Sequence, residues 1–320
     1  MHSETYTGIN SFLTGACRLL VKEGVKRETR GEISYELPEP FLFKITDPTA
    51  RIVTIAERKW KKVLPYAESL WIASGRNDLT YITHYLERMK DFSDDGIYMR
   101  GGYGPRYRDY NGEAKDYQVE TLNVRKKGSV DQLRYVVECF KQDIETRRAV
   151  IVFGDPIKDD FDSDGYLKQT RDIPCTRELH FLKQPGGNKL DLIVKMRSND
   201  LIWGASAINI FNYTFIQEYV AAILGLEIGF YYHLADNLHY YQRHAEMVHR
   251  LAEISEVDEQ PITCSKTFSN LEEFDRLLSK LSREELSMRT SPSIYKSIVF
   301  EDPFFENWYN ELFLFNTRQL

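Results

Sequence analysis

The sequence predicts an α+β protein, a mixed sheet flanked by helices. Apolar residues recur at helical spacing in 9–22, 130–144 and 270–281. Between them, CTRELHFLKQ and KLDLIVKMRS flank a PGGN turn, which reads as a β-hairpin. No internal repeat and no linker interrupts the pattern, so residues 1–320 read as a single domain.

The elements follow in order. Residues 9–22 place Phe12, Leu13, Ala16, Leu19 and Leu20 on one helical face, with Gly24 as the stop. KRETRGE reads as a turn, and ISYELPEPFLFKI as short edge strands because of its prolines. Residues 52–73 read as a helix ending near Ser74-Gly75, and 78–90 as another with Asp78 as N-cap. Residues 91–128 form a long irregular loop, the kind that is more often functional than idle. A helix (130–144) is followed by the strand RRAVIVFGDP. KDDFDSDGYLKQTRD is an acidic surface loop; Leu167 and Lys168 stand where a calcium loop needs its bidentate Glu. After the hairpin come a buried helix in SAINIFNYTFIQEYVAAILGL, an aromatic strand in EIGFYYHLADNLHYY, and a helix in QRHAEMVHRLAEI.

Composition narrows the function. Apolar residues make up 42% and charged residues 28%, which excludes disorder over most of the chain. A formal charge of -6 leaves no global basic field to recruit nucleic acid. No apolar run approaches the ~20 residues of a membrane helix, and no secretory signal is visible at the start. Cys17, Cys139, Cys175 and Cys264 are scattered without metal or disulfide spacing, as in a cytoplasmic chain with free thiols.

Among these, Cys175 follows Pro174 at a strand start, where a thiol can project into a cleft; taken alone it reads equally as a small buried hydrophobe. Arg177 and Arg197 favour the first reading, because a guanidinium lowers a thiol pKa. MRSND offers a cation, a hydroxyl and a carboxylate at a strand end, which suits a phosphate or a simple polar turn. Arg147 and Arg148 suit an anion or surface ion pairs. Asn209 lies between Ile208 and Ile210 and needs partners: a base edge, a carbonyl or a water. His239, Tyr241 and His244 cluster polar tips on an aromatic stretch.

Taken in order, these segments resemble the thymidylate synthase family over roughly residues 25–250. The resemblance rests on IPCTRELHF, RSND with Trp203-Gly204 and Asn209, His239-x-Tyr241, Arg147-Arg148, ESLW, YGPRYR, VDQL and Arg30-Gly31. It implies a thymidylate-synthase-like fold and a sheet-to-sheet homodimer that shares arginines across its interface. It implies a pyrimidine nucleoside monophosphate as substrate and 5,10-methylenetetrahydrofolate as co-substrate, with no metal. It implies Cys175 as nucleophile on ring carbon 6, and Glu68 organising water and proton transfer. Arg30, Arg197, Ser198 and the partner's arginine pair at 147 and 148 would hold the phosphate. Asn209 would read the base, and His239 and Tyr241 the sugar hydroxyl. Asp200, with Trp203 and Gly204, would receive the pterin.

Several positions depart from methyl-transferring members. Thr176 replaces a His, His180 a Gln, and FGDP an aromatic-Asn-Pro; no Trp precedes YGPRYR, and NTRQL is not an apolar latch. A wetter folate side favours hydroxymethylation over reductive methylation. A catalytically silent nucleotide-binding homologue is the reading from another class, and a Cys-His hydrolase is weaker because no Asn or Asp is evidently placed to orient a His. Uracil is favoured slightly over cytosine, and ribose against deoxyribose stays open.

Overall fold

Leu190, Leu192, Val194 and Met196 are buried while Asp191, Ile193 and Lys195 are half-buried, the period-2 alternation of a strand with one face on a core. A computed structural model describes residues 1–29, 31–110 and 128–317. The chain divides into two compact units: Met1–Pro65, Cys175–Ala221 and Leu226–Thr263 form one, and Tyr66–Pro174, Ala222–Gly225 and Cys264–Leu320 the other.

In the first unit, strands run in the order His2–Tyr6, Phe41–Ile45, Glu227–Ala235, Lys189–Met196 and Thr176–Lys183. The pairings alternate parallel, antiparallel, parallel and antiparallel, so the sheet is mixed. A second sheet of four strands runs Val25–Thr29, Glu32–Glu36, Leu238–Tyr241 and Asn199–Asp200. Helix Ile9–Glu23 buries Phe12, Leu13, Ala16 and Leu20, ends where Gly24 N donates to Leu20 O at 2.9 Å, and packs against Ala245–Ala252. The α+β expectation holds.

Several expectations change. Glu32–Glu36 and Phe41–Ile45 are strands, but each has a neighbour on both sides and neither is an edge. KRETRGE is more than a turn: Val25–Thr29 and Glu32–Glu36 pair as antiparallel strands, and Gly31 between them has a left-handed φ of 75°. Residues 52–62 hold only one short 3-10 turn, Ala56–Arg58, and the α-helix begins at Val63. Lys59 adopts a left-handed φ of 48°, Arg58 donates to Ile202 O and to Ser206 Oγ, and Trp60 Nε1 donates to Ala207 O at 2.8 Å. These tertiary bonds take the place of helical ones. The stretch 227–241 is two strands, because Asp236-Asn237 turns the chain from one sheet into the other. The helix expected from 206 is preceded by a wide π-type turn over Leu201–Asn209, which runs into Ile210–Ile223.

The second unit contains helices Leu79–Tyr85, Tyr103–Arg108, Gln132–Gln142, Leu271–Thr290 and Pro303–Thr317, together with most of Val63–Ala73. Asp78 caps the first, accepting from Tyr81 N at 3.1 Å. Within YGPRYR, Arg106 is fully buried and grips Asp159 with two bonds of 2.8 and 2.6 Å, while donating to Phe153 O of FGDP. Arg100 adds a bond of 3.1 Å to the same carboxylate.

Removing one partner of such a pair leaves an uncompensated buried charge. Asp159→Ala is expected to destabilise the fold by about 3–5 kcal/mol. Arg243→Ala, which breaks an exposed pair with Glu32, should change stability by less than about 1 kcal/mol. Urea denaturation of both variants checks the contrast.

Candidate active site

Cys175 is half-buried at the open end of the hairpin. Its carbonyl accepts from Arg197 N at 3.0 Å, and Thr176 pairs with Met196, so thiol and arginine stand on facing strand ends. Because side chains alternate, the next residue turns inward: Thr176 is fully buried, with its hydroxyl bonded to that of Tyr213. Thr176 therefore serves packing.

The segment after Met196 is held by the main chain. Asp236 N donates to Met196 O at 2.9 Å and Asn199 N to Asn237 O at 2.8 Å. Leu238 then pairs with Asn199, and His239 with Asp200. Arg197, Ser198 and Asp200 are thereby set beside the strand that carries His239 and Tyr241.

Each side chain there is prepared by its neighbours. Asp200 Oδ1 accepts from Ile202 N at 2.8 Å and Trp203 N at 3.2 Å, capping the π-type turn. Among the described residues no group bonds its other oxygen, which suits a carboxylate awaiting an N–H donor. His239 Nδ1 lies 2.8 Å from Asn237 Oδ1, and Asn237 Nδ2 donates to Glu36 Oε2 at 2.7 Å. The imidazole proton then sits on Nδ1, leaving Nε2 to accept. Burial pushes the His239 pKa down, against the charges of Asp200 and Glu36, and favours the neutral ring. The Tyr241 ring stands edge-on to His239 at 5.2 Å, with the Arg243 guanidinium 4.3 Å above it.

Asn209 ends the turn and donates through Nδ2 to Asn199 Oδ1 at 3.2 Å and to Met196 Sδ at 3.5 Å. Gly204 packs on this amide pair. A Cβ there would lie 2.7 Å from Asn199 Oδ1 and 3.0 Å from Asn209 Nδ2, so only glycine fits.

The structure thus brings together Cys175, Arg197, Ser198, Asp200, Trp203, Gly204, Asn209, His239 and Tyr241 in the first unit. Glu68, Arg147 and Arg148 belong to the second. Glu68 is buried in helix Val63–Ala73, and both arginines are exposed just before the strand Val150–Val152. Arg30 lies outside the described residues. Among the described residues no cluster of three or more His, Cys, Asp or Glu could hold a metal, and no helix is long and apolar enough to cross a membrane.

A family model described as thymidylate synthase matches residues 12–281. The chain belongs to the thymidylate synthase family. It is an enzyme of one-carbon transfer, and the resemblance drawn from IPCTRELHF and RSND holds. Among similar proteins is the deoxyuridylate hydroxymethyltransferase of Pseudomonas phage M6, 32% identical over 88% of this chain and 74% of that protein. The protein of the same name from Bacillus phage SP01 is 34% identical over 84% of this chain and 66% of its own length. Thymidylate synthase 1 of Bacillus spizizenii is 29% identical over 61% of this chain and 62% of that protein. The match thus spans about two thirds to three quarters of the two phage relatives.

For this thymidylate synthase family member, sequence reasoning missed Arg58, Trp60, Asn199 and His233. Asn199 was visible only as the variable position of RSND. His233 was hidden in an aromatic stretch, yet it is fully buried, with Nε2 3.0 Å from Asn199 Nδ2 and Nδ1 2.7 Å from the Tyr231 hydroxyl.

Burial pushes His233 down to about 3. Between the unfolded value of ~6.5 and about 3, the unfolded chain binds a proton that the folded chain does not, so His233 makes stability fall as pH falls. Its contribution has a limiting slope of about 1.4 kcal/mol per pH unit. His233→Phe should lack that slope, and urea midpoints of both proteins across this window test it; equal slopes would refute it.

Proposed function

We propose that the chain hydroxymethylates carbon 5 of a pyrimidine nucleoside monophosphate, dUMP in preference to dCMP or CMP, with 5,10-methylenetetrahydrofolate as one-carbon donor. The observation that carries the reading is the register that sets Cys175 against Arg197 while aligning Asp200 with His239. A thiol beside a cation, a carboxylate with one oxygen uncommitted and an imidazole presenting a lone pair suit a nucleophile, a pterin contact and a sugar contact.

The Cys175 thiolate, favoured by Arg197, adds to ring carbon 6, and the displaced electron pair makes carbon 5 nucleophilic. Carbon 5 bonds to the donated carbon and loses its proton to water organised by Glu68. Both carbon–nitrogen bonds that held the donated carbon to folate are broken in this transfer, one as carbon 5 bonds to it and the other after. Their electron pairs stay on the two folate nitrogens, which leaves an exocyclic methylene on the nucleotide. Water adds to that methylene as Cys175 departs, so the product carries hydroxymethyl and the folate stays at the tetrahydro level. Arg197 and Ser198 hold the phosphate with Arg30, Asn209 reads the base, and His239 and Tyr241 hold the sugar. Asp200 receives the pterin N–H groups, and Trp203 and Gly204 line its approach.

Two observations support water over hydride. No Trp occurs in 91–102, and both phage relatives carry the name of hydroxymethyltransferases. The homodimer is part of the proposal. Leu42, Ile193, Phe230, Tyr232 and Leu234 share one half-exposed face of the larger sheet, an apolar surface fit for a second copy. Arg147 and Arg148 would then enter the partner's phosphate site. A cytoplasmic location belongs to the same proposal, since four cysteines scattered without disulfide spacing suit a reducing compartment.

Cys175→Ser should bind nucleotide yet lose turnover by several orders of magnitude; near-normal turnover would overturn the mechanism. Mixing Cys175→Ser with Arg147→Ala should recover part of the activity in heterodimers, since one of the two sites is then intact. No recovery after verified subunit exchange argues for a site made by one chain. During turnover, near-ultraviolet absorbance should not rise as it does when dihydrofolate forms, and oxygen from labelled water should enter the product. A rise matching product, without label, would identify a methyl-transferring thymidylate synthase, and no product at all a silent homologue.

A further inference from the structure

We propose that Asn199 and His233 are positioning residues that lock the Asn209 amide with its carbonyl outward, and that this lock selects a base with a ring N–H (uracil type) over one with a bare ring nitrogen (cytosine type). The proposal rests on Asn209 as the base reader.

An asparagine amide can turn over and present either edge, so by itself it does not separate the two bases. Here the turn is blocked. The Asn209 nitrogen faces Met196 Sδ at 3.5 Å, and a thioether accepts but never donates, so the carbonyl has no reason to sit there. The other proton of that nitrogen goes to Asn199 Oδ1 at 3.2 Å. Asn199 is therefore oriented too, and its nitrogen faces His233 Nε2 at 3.0 Å. That contact is a bond only if Nε2 is unprotonated, which puts the ring proton on Nδ1, 2.7 Å from the Tyr231 hydroxyl.

The lock is closely packed. Asn199 is 1% exposed and His233 0%. The His233 ring is stacked on Phe43 at 4.8 Å and 11°, and Gly204 leaves no room beside the amide pair. With both protons of its nitrogen engaged, Asn209 offers outward only Oδ1, which no group bonds among the described residues. An acceptor at the ring nitrogen receives the N–H of uracil and meets a lone pair on cytosine. Burying that mismatch is unfavourable.

The test measures dUMP and dCMP binding by calorimetry for the wild type, Asn199→Ala, His233→Phe and His233→Gln, with circular dichroism as the check on folding. The wild type should prefer dUMP by about tenfold to a hundredfold. His233→Phe keeps the stacking on Phe43 but offers no acceptor, and Asn199→Ala removes the middle of the chain. Both should bring the ratio to within about threefold of unity, since a freed amide turns to suit either base. His233→Gln, whose carbonyl can accept from Asn199, should restore most of the preference. A merely structural role would weaken both nucleotides equally and leave the ratio unchanged, which overturns the proposal while leaving Asn209 as reader. Binding of neither nucleotide by the wild type overturns the site reading itself. Nitrogen NMR of the intact wild type needs no variant: the proton of His233 should be on Nδ1, and finding it on Nε2 also overturns the lock.

Discussion

The site depends on the register in which Met196–Asp200 meets Ala235–His239. Two main-chain bonds, Asp236 N to Met196 O and Asn199 N to Asn237 O, carry both segments out of one sheet and into the other together. Strand side chains alternate with period 2, so a slip of one residue would turn His239 away from Asp200 and bury what should face a ligand. The nucleophile is tied into the same arrangement through Arg197 N and Cys175 O. Polar side chains on three separated stretches of sequence thus acquire fixed neighbours through bonds that are indifferent to side-chain identity.

That backbone frame lets charge be used sparingly. One arginine, Arg197, is bonded through its main chain to Cys175, and one carboxylate, Asp200, commits one of its oxygens to the amides of the following turn. The two histidines are favoured neutral by burial, and their bonded partners set which nitrogen carries the proton. A neutral imidazole with an assigned proton is a directional group, and direction is what discriminates among ligands that share a size. The second unit solves a different problem. Arg106 and Asp159 bury full charges against one another, which ties YGPRYR to the short helix Pro156–Asp159 that begins at the proline of FGDP.

How much of this could be read in advance follows the same physics. The hairpin at 176–196 was legible because one face is buried and the other is not, which writes alternation into the sequence. Strand Val25–Thr29 was illegible because all five of its residues are exposed and nothing selects their polarity. The helix expected from residue 52 was a fair reading of local periodicity, but Arg58 and Trp60 bond to carbonyls of the 201–209 turn, and local pattern cannot register a partner some 145 residues away. Cys175, Arg197 and Asp200 declared themselves by residue type and spacing. Asn199 and His233 did not, since a buried polar group acquires meaning only from what it bonds.

The wide turn Leu201–Asn209 has a consequence for how relatives should be compared. Its closing bond runs from Ile210 N to Ala205 O, one residue longer than an α-helical bond. It behaves as an inserted residue absorbed without a loop. Deleting one residue there would let an ordinary helix form and rotate everything on its amino-terminal side by about 100° relative to Ile210–Ile223. A one-residue gap in an alignment across this stretch is therefore a rotation in space. Homologues that differ there keep the same letters while aiming them at different parts of a ligand, so divergence of specificity can hide in a segment that looks merely shortened.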